Sequence, residues 1–427
     1  MPHPFCRFGA IAAIPVLLFP VSATAGEGTG GSNNATVRLA APEVEFQSDD
    51  EALEQDLLLI AESRGITVEE ARQRHALAAQ VDLVADEVMR KSPESFLATR
   101  LPDDPSDTAH LLIKGSASAD VVDAVRRSGT PITIESGHIF NRTDLDETQA
   151  AVHKVLLEHG LKDIVSRYNW NASAPMIEVS VSPAGVPAKA VGNGALVAAE
   201  AEAEGRAYAA LSSLRLPPGL VRVDFTEAQQ ARVRSSSFGG MRLRRGTTGV
   251  CTSGFSVINS AGVTGVTGAG HCSGVSGIVH GTAVHATTYV TGHQGSWGDV
   301  EWYTTGQTEP DDFYADAATI RDVTAVERAT NISIDEDVCG YGRTSDRRYC
   351  TTVYDLSESC TDPDVGATAS RLVVVRANGL TLGDSGGPWF TGTVAFGTYY
   401  GTCAGRDAFS VADYFDEALG GGVRVRT

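Results

Sequence analysis

Leu382-Gly383-Asp384-Ser385-Gly386-Gly387-Pro388 is the stretch on which the reading of this 427-residue chain turns. A serine flanked by glycine suits a nucleophile on a tight turn, because glycine adopts backbone conformations closed to other residues and lets a substrate backbone lie close. Such a turn also aims the amide N–H groups of Gly383 and Ser385 at one point, where an oxyanion can be held. Gly-Ser-Gly alone reads equally well as a surface loop, whereas the run from Gly383 to Pro388 is far more specific. Serine is a weak nucleophile until a base takes its proton, and that base needs an orienting acid. Both partners lie upstream. Thr267-Gly268-Ala269-Gly270-His271-Cys272 offers a histidine after a small-residue run. Gly298-Asp299-Val300-Glu301-Trp302 offers an aspartate entering an apolar strand. Glu301, two residues on, falls on the same side of a regular strand and competes with Asp299 for the orienting role.

The order His271, Asp299, Ser385 is that of the chymotrypsin-type triad. Gly-Ala-Gly-His-Cys followed by Gly-Asp-Ser-Gly-Gly-Pro resembles the bacterial branch of that family, the streptogrisins and α-lytic protease. The resemblance covers roughly residues 238–427, and the segment before it resembles the family's pro-regions in position, length and alternation of elements. It implies an all-β, chymotrypsin-like protease domain of two six-stranded antiparallel barrels, preceded by an α+β pro-region. His271 and Asp299 would come from the first barrel (about 238–330) and Ser385 from the second (331–427). The match favours Asp299 over Glu301 as the acid, and gives the oxyanion hole to the backbone N–H groups of Gly383 and Ser385. In the family the residue at Asp384 is a structural anchor paired with a buried positive charge, and Arg343 in Cys339-Gly340-Tyr341-Gly342-Arg343 is the candidate partner. The specificity pocket would be lined by Gly379, Leu380 and Leu382, and by Tyr399 and Tyr400. None of these is acidic, so the expected guest at P1 (the residue before the scissile bond) is apolar rather than Lys or Arg. No cofactor and no metal is implied, and a monomer is expected.

Charged residues make up 20% of the chain and hydrophobic ones 42%, which fits globular protein and excludes wholesale disorder. A formal net charge of −19 argues against nucleic acid or an anionic membrane as partner. The length calls for two or three structural units.

The N-terminus reads as a signal peptide, residues 1–25. Arg7 supplies the positive region, Gly9 to Val21 the apolar run, and Ala23-Thr24-Ala25 the small-x-small cleavage pattern. The run is shorter than the ~20 residues a membrane span needs, so secretion without a membrane anchor is expected. Beyond Cys6, six cysteines remain: Cys251, Cys272, Cys339, Cys350, Cys360 and Cys403. An even number in a secreted chain reads as disulfides, and with no Cys-x-x-Cys pair zinc is disfavoured. The resemblance implies Cys251–Cys272 and Cys339–Cys350, which leaves Cys360 with Cys403. Here the chain departs from the family, whose third bridge begins a few residues before Gly-Asp-Ser.

Residues 26–237 are expected to form a spacer and the α+β pro-region. Gly26 to Ala41 is Gly-, Ser-, Asn- and Ala-rich. Helices are predicted at Glu51 to Arg64, from the capping box Thr67-Val68-Glu69-Glu70 to Lys91, at Ala119 to Arg127, Glu147 to Leu161 and Leu196 to Leu214. Strands are predicted at Ala109 to Lys114, Ile132 to Glu135, Met176 to Val181 and Leu220 to Phe225. From about Gly239 helix signals nearly vanish, and short runs such as Phe255 to Ile258, Ala283 to Val290, Thr351 to Tyr354 and Leu372 to Val375 read as strands. One late helix is expected at Val411 to Leu419. The activating cut is expected between Ser235 and Phe238. His280, His285 and His293 lack the His-Glu-x-x-His logic of a catalytic metal site. Their segment reads as strand and turn.

The reading is a secreted serine endopeptidase made as a pre-pro-enzyme, acting on protein or peptide substrates and folded and inhibited by its own pro-region. The alternative is a catalytically silent pseudoprotease that serves as a secreted binding module.

Overall fold

Thr67 starts a helix because its hydroxyl accepts the Glu70 N–H at 3.1 Å while its own N–H donates to the Glu70 carboxylate at 2.7 Å. This reciprocal pair satisfies two of the donors that every helix N-terminus leaves open. The helix, α2, runs from Val68 to Lys91, and α1 before it covers Asp49–Arg64, closed by Gly65 in a left-handed conformation. The computed structural model describes residues 45–170, 176–182, 193–217, 219–225, 240–280, 283–362 and 366–427. The expected signal segment, the spacer and the cut at 235–238 lie outside them.

The first part is α+β. Strands Phe96–Arg100, Ala109–Lys114 and Ile132–His138 form a small sheet, and α3 (Ala119–Ser128) makes the crossover between the parallel pair. Val84, Val88, Phe96, Leu111, Ile113 and Val121 pack between that sheet and the helices. Further on, α4 (Arg142–Glu158) and α5 (Asn193–Ser212) accompany the strands Lys162–Tyr168, Ile177–Ser182 and Val221–Phe225. The helix α4 starts five residues before the expected Glu147, because Asn141 and Asp144 form a capping box of their own. Three strands were not expected: Glu45–Gln47, Phe96–Arg100 and Lys162–Tyr168.

The remainder is all-β. The first barrel is built from strands between Arg242–Arg245 and Gly298–Thr304, and the C-terminal strand Arg424–Val425 returns to it, pairing with Val257 and Ile258. The second barrel has six strands: Asp337–Gly342, Arg347–Thr361, Thr368–Val375, Pro388–Thr391, Val394–Cys403 and Arg406–Val411. The expected late helix is a short 3-10 turn, Ala412–Tyr414, followed by α6, Phe415–Leu419. Disulfides join Cys251 to Cys272, Cys339 to Cys350 and Cys360 to Cys403. Among the described residues no helix is long and apolar enough to cross a membrane.

The α+β part is seated on the second barrel in two ways. Ser166 and Val165 pair with Ser359 and Cys360, so the strands of both parts form one sheet. Beneath it a single apolar core runs across the boundary, with Leu156, Ile164 and Val179 on one side and Val353, Leu356 and Trp389 on the other. At the far end α1 presents Asp56 to Arg321, both side chains fully buried.

Candidate active site

The Ser385 turn is assembled from backbone bonds. The Ser385 carbonyl accepts the Thr252 N–H at 2.5 Å, Gly386 N–H donates to Tyr399 O at 2.7 Å, and Gly387 N–H donates to Asp384 O at 2.9 Å. The Gly383 carbonyl accepts the hydroxyls of Thr252 and Thr344, at 3.1 and 2.9 Å. Gly386 has φ +91°, and a Cβ there would lie 1.6 Å from Thr252 O and 2.9 Å from Ala269 N. No other residue fits. That close approach packs the serine turn against the chain two residues before His271.

His271 sits in the 3-10 turn Gly270–Cys272, tied to Cys251 through Cys272. Its Nδ1 lies 2.5 Å from the Asp299 carboxylate, which is fully buried at the start of strand Gly298–Thr304. Its Nε2 is buried, and has no hydrogen-bond partner among the described residues. The Tyr400 ring meets the imidazole edge-on, centroids 6.2 Å apart. Asp299 is braced from behind, its N–H donating to Ser410 Oγ at 2.9 Å while the Ser410 hydroxyl donates to the Asp299 carbonyl at 3.2 Å. Glu301, the competing acid, instead accepts a bond from the Tyr303 hydroxyl, and burial pushes its carboxyl up to about 8.

Asp384 is fully buried beside the serine but is not paired with Arg343. One carboxylate oxygen accepts the N–H groups of Thr344 and Ser345, at 2.8 and 3.0 Å, and the other that of Thr381, at 2.8 Å. Three backbone donors satisfy the charge, and a Cβ on Gly342 would lie 2.1 Å from the carboxyl carbon, which leaves no room for a guanidinium. Arg343 turns instead to the Tyr341 hydroxyl and Asp346, at 2.9 and 3.3 Å.

The residues expected to line the specificity pocket gather around an acid that the sequence reading passed over. Asp407, buried in strand Arg406–Val411, accepts the N–H groups of Gly379 and Leu380 at 2.8 and 2.9 Å. It also accepts the hydroxyls of Tyr399, at 2.9 Å, and Tyr349. Leu380 is buried and Leu382 half-buried. Tyr400 is fully buried, and its hydroxyl has no hydrogen-bond partner among the described residues. The available signal was an aspartate at the head of the strand-like run Ala408-Phe409-Ser410-Val411, where an unpaired buried charge would be costly.

His280, His285 and His293 do not converge. They contact the Tyr314 hydroxyl, the Gln307 amide and the Trp297 N–H respectively. Among the described residues, each trio of close metal-capable side chains includes both sulfurs of a disulfide.

No family model and no curated protein matches this chain. Among solved structures it is similar to the Nocardiopsis protease NAPase, at 21% identity over 46% of this chain and 98% of that one, TM-score 0.36. It is similar to an alpha-lytic protease homolog, N4, at 23% identity over 43% of this chain and 92% of that one, TM-score 0.32. A third is the MamO protease domain of Magnetospirillum magneticum, at 15% identity over 37% of this chain and 89% of that one, TM-score 0.24.

Proposed function

We propose that the chain is a secreted serine endopeptidase, made with a signal segment (residues 1–25) and a pro-region (26–237) ahead of the protease domain (238–427). The observation that carries this reading is the 2.5 Å bond between His271 Nδ1 and buried Asp299, beside a Gly-Asp-Ser-Gly-Gly turn packed on the histidine's own segment. Asp299 fixes the imidazole tautomer with the proton on Nδ1 and leaves Nε2 as the base. His271 takes the Ser385 hydroxyl proton as Oγ attacks the scissile carbonyl, then passes it to the leaving amine. Asp299 stabilises the imidazolium formed between those steps. The N–H groups of Gly383 and Ser385 hold the oxyanion, and water then cleaves the acyl-enzyme by the same proton route reversed. Asp384 acts through structure, holding the serine turn against Thr344 and Ser345.

The pocket reading stays apolar. Asp407 lies behind the pocket segment, but its charge is taken up by four donors and none of it is directed at a P1 side chain. The α+β part, joined to the second barrel by a shared sheet and core, acts as a template for folding and holds the protease inactive until it is cut away. Labelling by a fluorophosphonate probe tests the chemistry. Once the α+β part has been cut away, wild-type protein labels and turns over a peptide ester, while Ser385→Ala does neither and His271→Ala loses nearly all turnover. A folded wild-type protein that fails to label after the α+β part is cut away would leave a binding module that keeps the fold without the reaction.

A further inference from the structure

Arg371 stands in strand Thr368–Val375 with φ +57°, a left-handed conformation that ordinarily falls to glycine. The cause is a bulge. Glu358 pairs with Leu372 and Cys360 with Ala369, so Ser370 and Arg371 together oppose Ser359 alone. A bulge of this kind bends the strand and re-aims one side chain. A non-glycine residue held there costs backbone strain, which persists only where the surroundings over-determine it.

The surroundings come from three parts of the molecule. Arg371 Nη1 donates to Ser296 O at 2.6 Å, and its guanidinium lies 4.0 Å from the centroid of the Trp297 ring. Both belong to the first barrel, in the turn that leads directly into Gly298 and Asp299. The Trp297 ring also meets Tyr414, from the end of the second barrel, at 5.3 Å. Arg371 Nε donates to Asp146 Oδ2 at 3.3 Å, and Asp146 is a buried residue of α4 in the α+β part. Asp146 is itself held by the Ser357 hydroxyl at 2.5 Å and lies 3.6 Å from Arg142 Nε. Leu372, next along, pairs with Ser410, whose hydroxyl braces the Asp299 backbone.

We propose that Arg371 is a positioning residue for Asp299, locking the acid-bearing turn of the first barrel onto the second, and that Asp146 holds Arg371 in that pose while the α+β part is seated. The inference rests on the triad reading above and adds a coupling to it: docking of α4 is transmitted, through one arginine, to the hydrogen bond on His271. A flat, stacked guanidinium with two donors in use is not replaced in full by an ammonium, so Lys should serve only in part.

The test uses the full chain. In Ser385→Ala, which cannot cut itself, the low-field proton resonance of the short His271–Asp299 bond reports the alignment without requiring activity. Arg371→Ala should shift that resonance upfield and broaden it, Arg371→Lys should restore it in part, and Asp146→Asn should move it in the same direction by less. In the active background Arg371→Ala should lower kcat roughly 10- to 100-fold, the scale of a sub-ångström to 1 Å misplacement. KM should change far less. Arg371→Gly relieves the backbone strain while removing the side chain, so it separates a folding defect from a positioning defect: it should behave as Arg371→Ala in the resonance. An unchanged resonance in both Arg371→Ala and Arg371→Gly would overturn the proposal. An unchanged resonance in Asp146→Asn would overturn its coupling to the α+β part. A wild-type chain that shows the resonance but never labels with a fluorophosphonate would sink the peptidase reading and leave the positioning result standing.

Discussion

Replacing Asp56 with alanine removes one carboxylate from a site with no solvent in reach. Asp56 and Arg321 are both 0% exposed, their closest approach is 2.7 Å, and Asp56 also accepts the Gly392 N–H at 2.7 Å. The charge partners of Arg321 come from the other part of the molecule: Asp56, with Gln47 and Gln55 as neutral acceptors at 2.9 and 2.8 Å. Arg348, at 3.6 Å from Asp56, is a second nearby cation. After the substitution Arg321 has lost its carboxylate, while Arg348 keeps Asp316 at 3.6 Å. Breaking a buried pair from one side costs about 3–5 kcal/mol, because the remaining charge stays desolvated. That corresponds to two to nearly four orders of magnitude in the seating equilibrium of the α+β part. The assay is denaturant unfolding of Ser385→Ala chain with and without Asp56→Ala, following the midpoint and the slope together. The midpoint should fall with the slope unchanged. Asp56→Ala with Arg321→Met should recover most of the loss, since an apolar pair of similar volume is often neutral. A cost below about 1 kcal/mol for Asp56→Ala alone, the range of exposed pairs, would refute the argument that this contact is desolvated.

The same interface carries a pH dependence. Asp82 of α2 faces Glu327 and Glu336 of the all-β part across a cavity also lined by Arg74, His75 and Asp337. Burial pushes Asp82 up to about 8 and Glu327 up to about 7, and raises Glu336 well above the ordinary carboxylate range. Carboxyls raised on folding contribute stability below their ordinary range and lose it as pH rises through the raised values. Melting of the full Ser385→Ala chain should therefore drop between pH 5 and pH 9, and Asp82→Asn should flatten that drop; an equal slope in both would count against the cluster. A P1 peptide library should show apolar residues cleaved best, and a preference for Lys or Arg would mean that Asp407 is accessible after all. Denatured, disulfide-intact residues 239–427 should regain activity efficiently only with the α+β part added in trans, because barrels dominated by long-range contacts fold slowly. Equal rapid recovery without it would remove the foldase role.

What was legible in the sequence was local. The Thr67–Glu70 box, the strand Ala109–Lys114 and the Gly-Asp-Ser-Gly-Gly turn each rest on residue types at fixed short spacing, and each stands where it was read. The strand Lys162–Tyr168 carries strand formers in Ile164, Val165 and Tyr168, but it follows α4 with only a short turn between them. Its ladder is completed by Ser359 and Cys360, almost two hundred residues away. Choosing Asp299 over Glu301 needed the resemblance, since alternation puts both on one face. The structure separates them by Tyr303, which engages Glu301. Arg343 was offered to Asp384 as the nearest cation by motif, when three backbone amides already met that carboxylate. Asp407 could not be linked to Gly379, Leu380, Tyr349 and Tyr399 without knowing which strands are neighbours.

The shared sheet has a consequence for the proposed removal of the α+β part. While Ser166 and Val165 pair with Ser359 and Cys360, that stretch of Arg347–Thr361 is an interior strand. Removing the α+β part turns it into an open edge, with unpaired N–H and C=O groups that can template pairing with a second molecule. The chain has no lysine after Lys189 with which to blunt such an edge. It has a covalent tie instead: Cys360, at the exposed position, is bonded to Cys403 on Val394–Cys403. An edge anchored to its own barrel cannot peel away to swap with a neighbour, so on the proposed reading the third bridge guards against strand exchange once the α+β part is cut away.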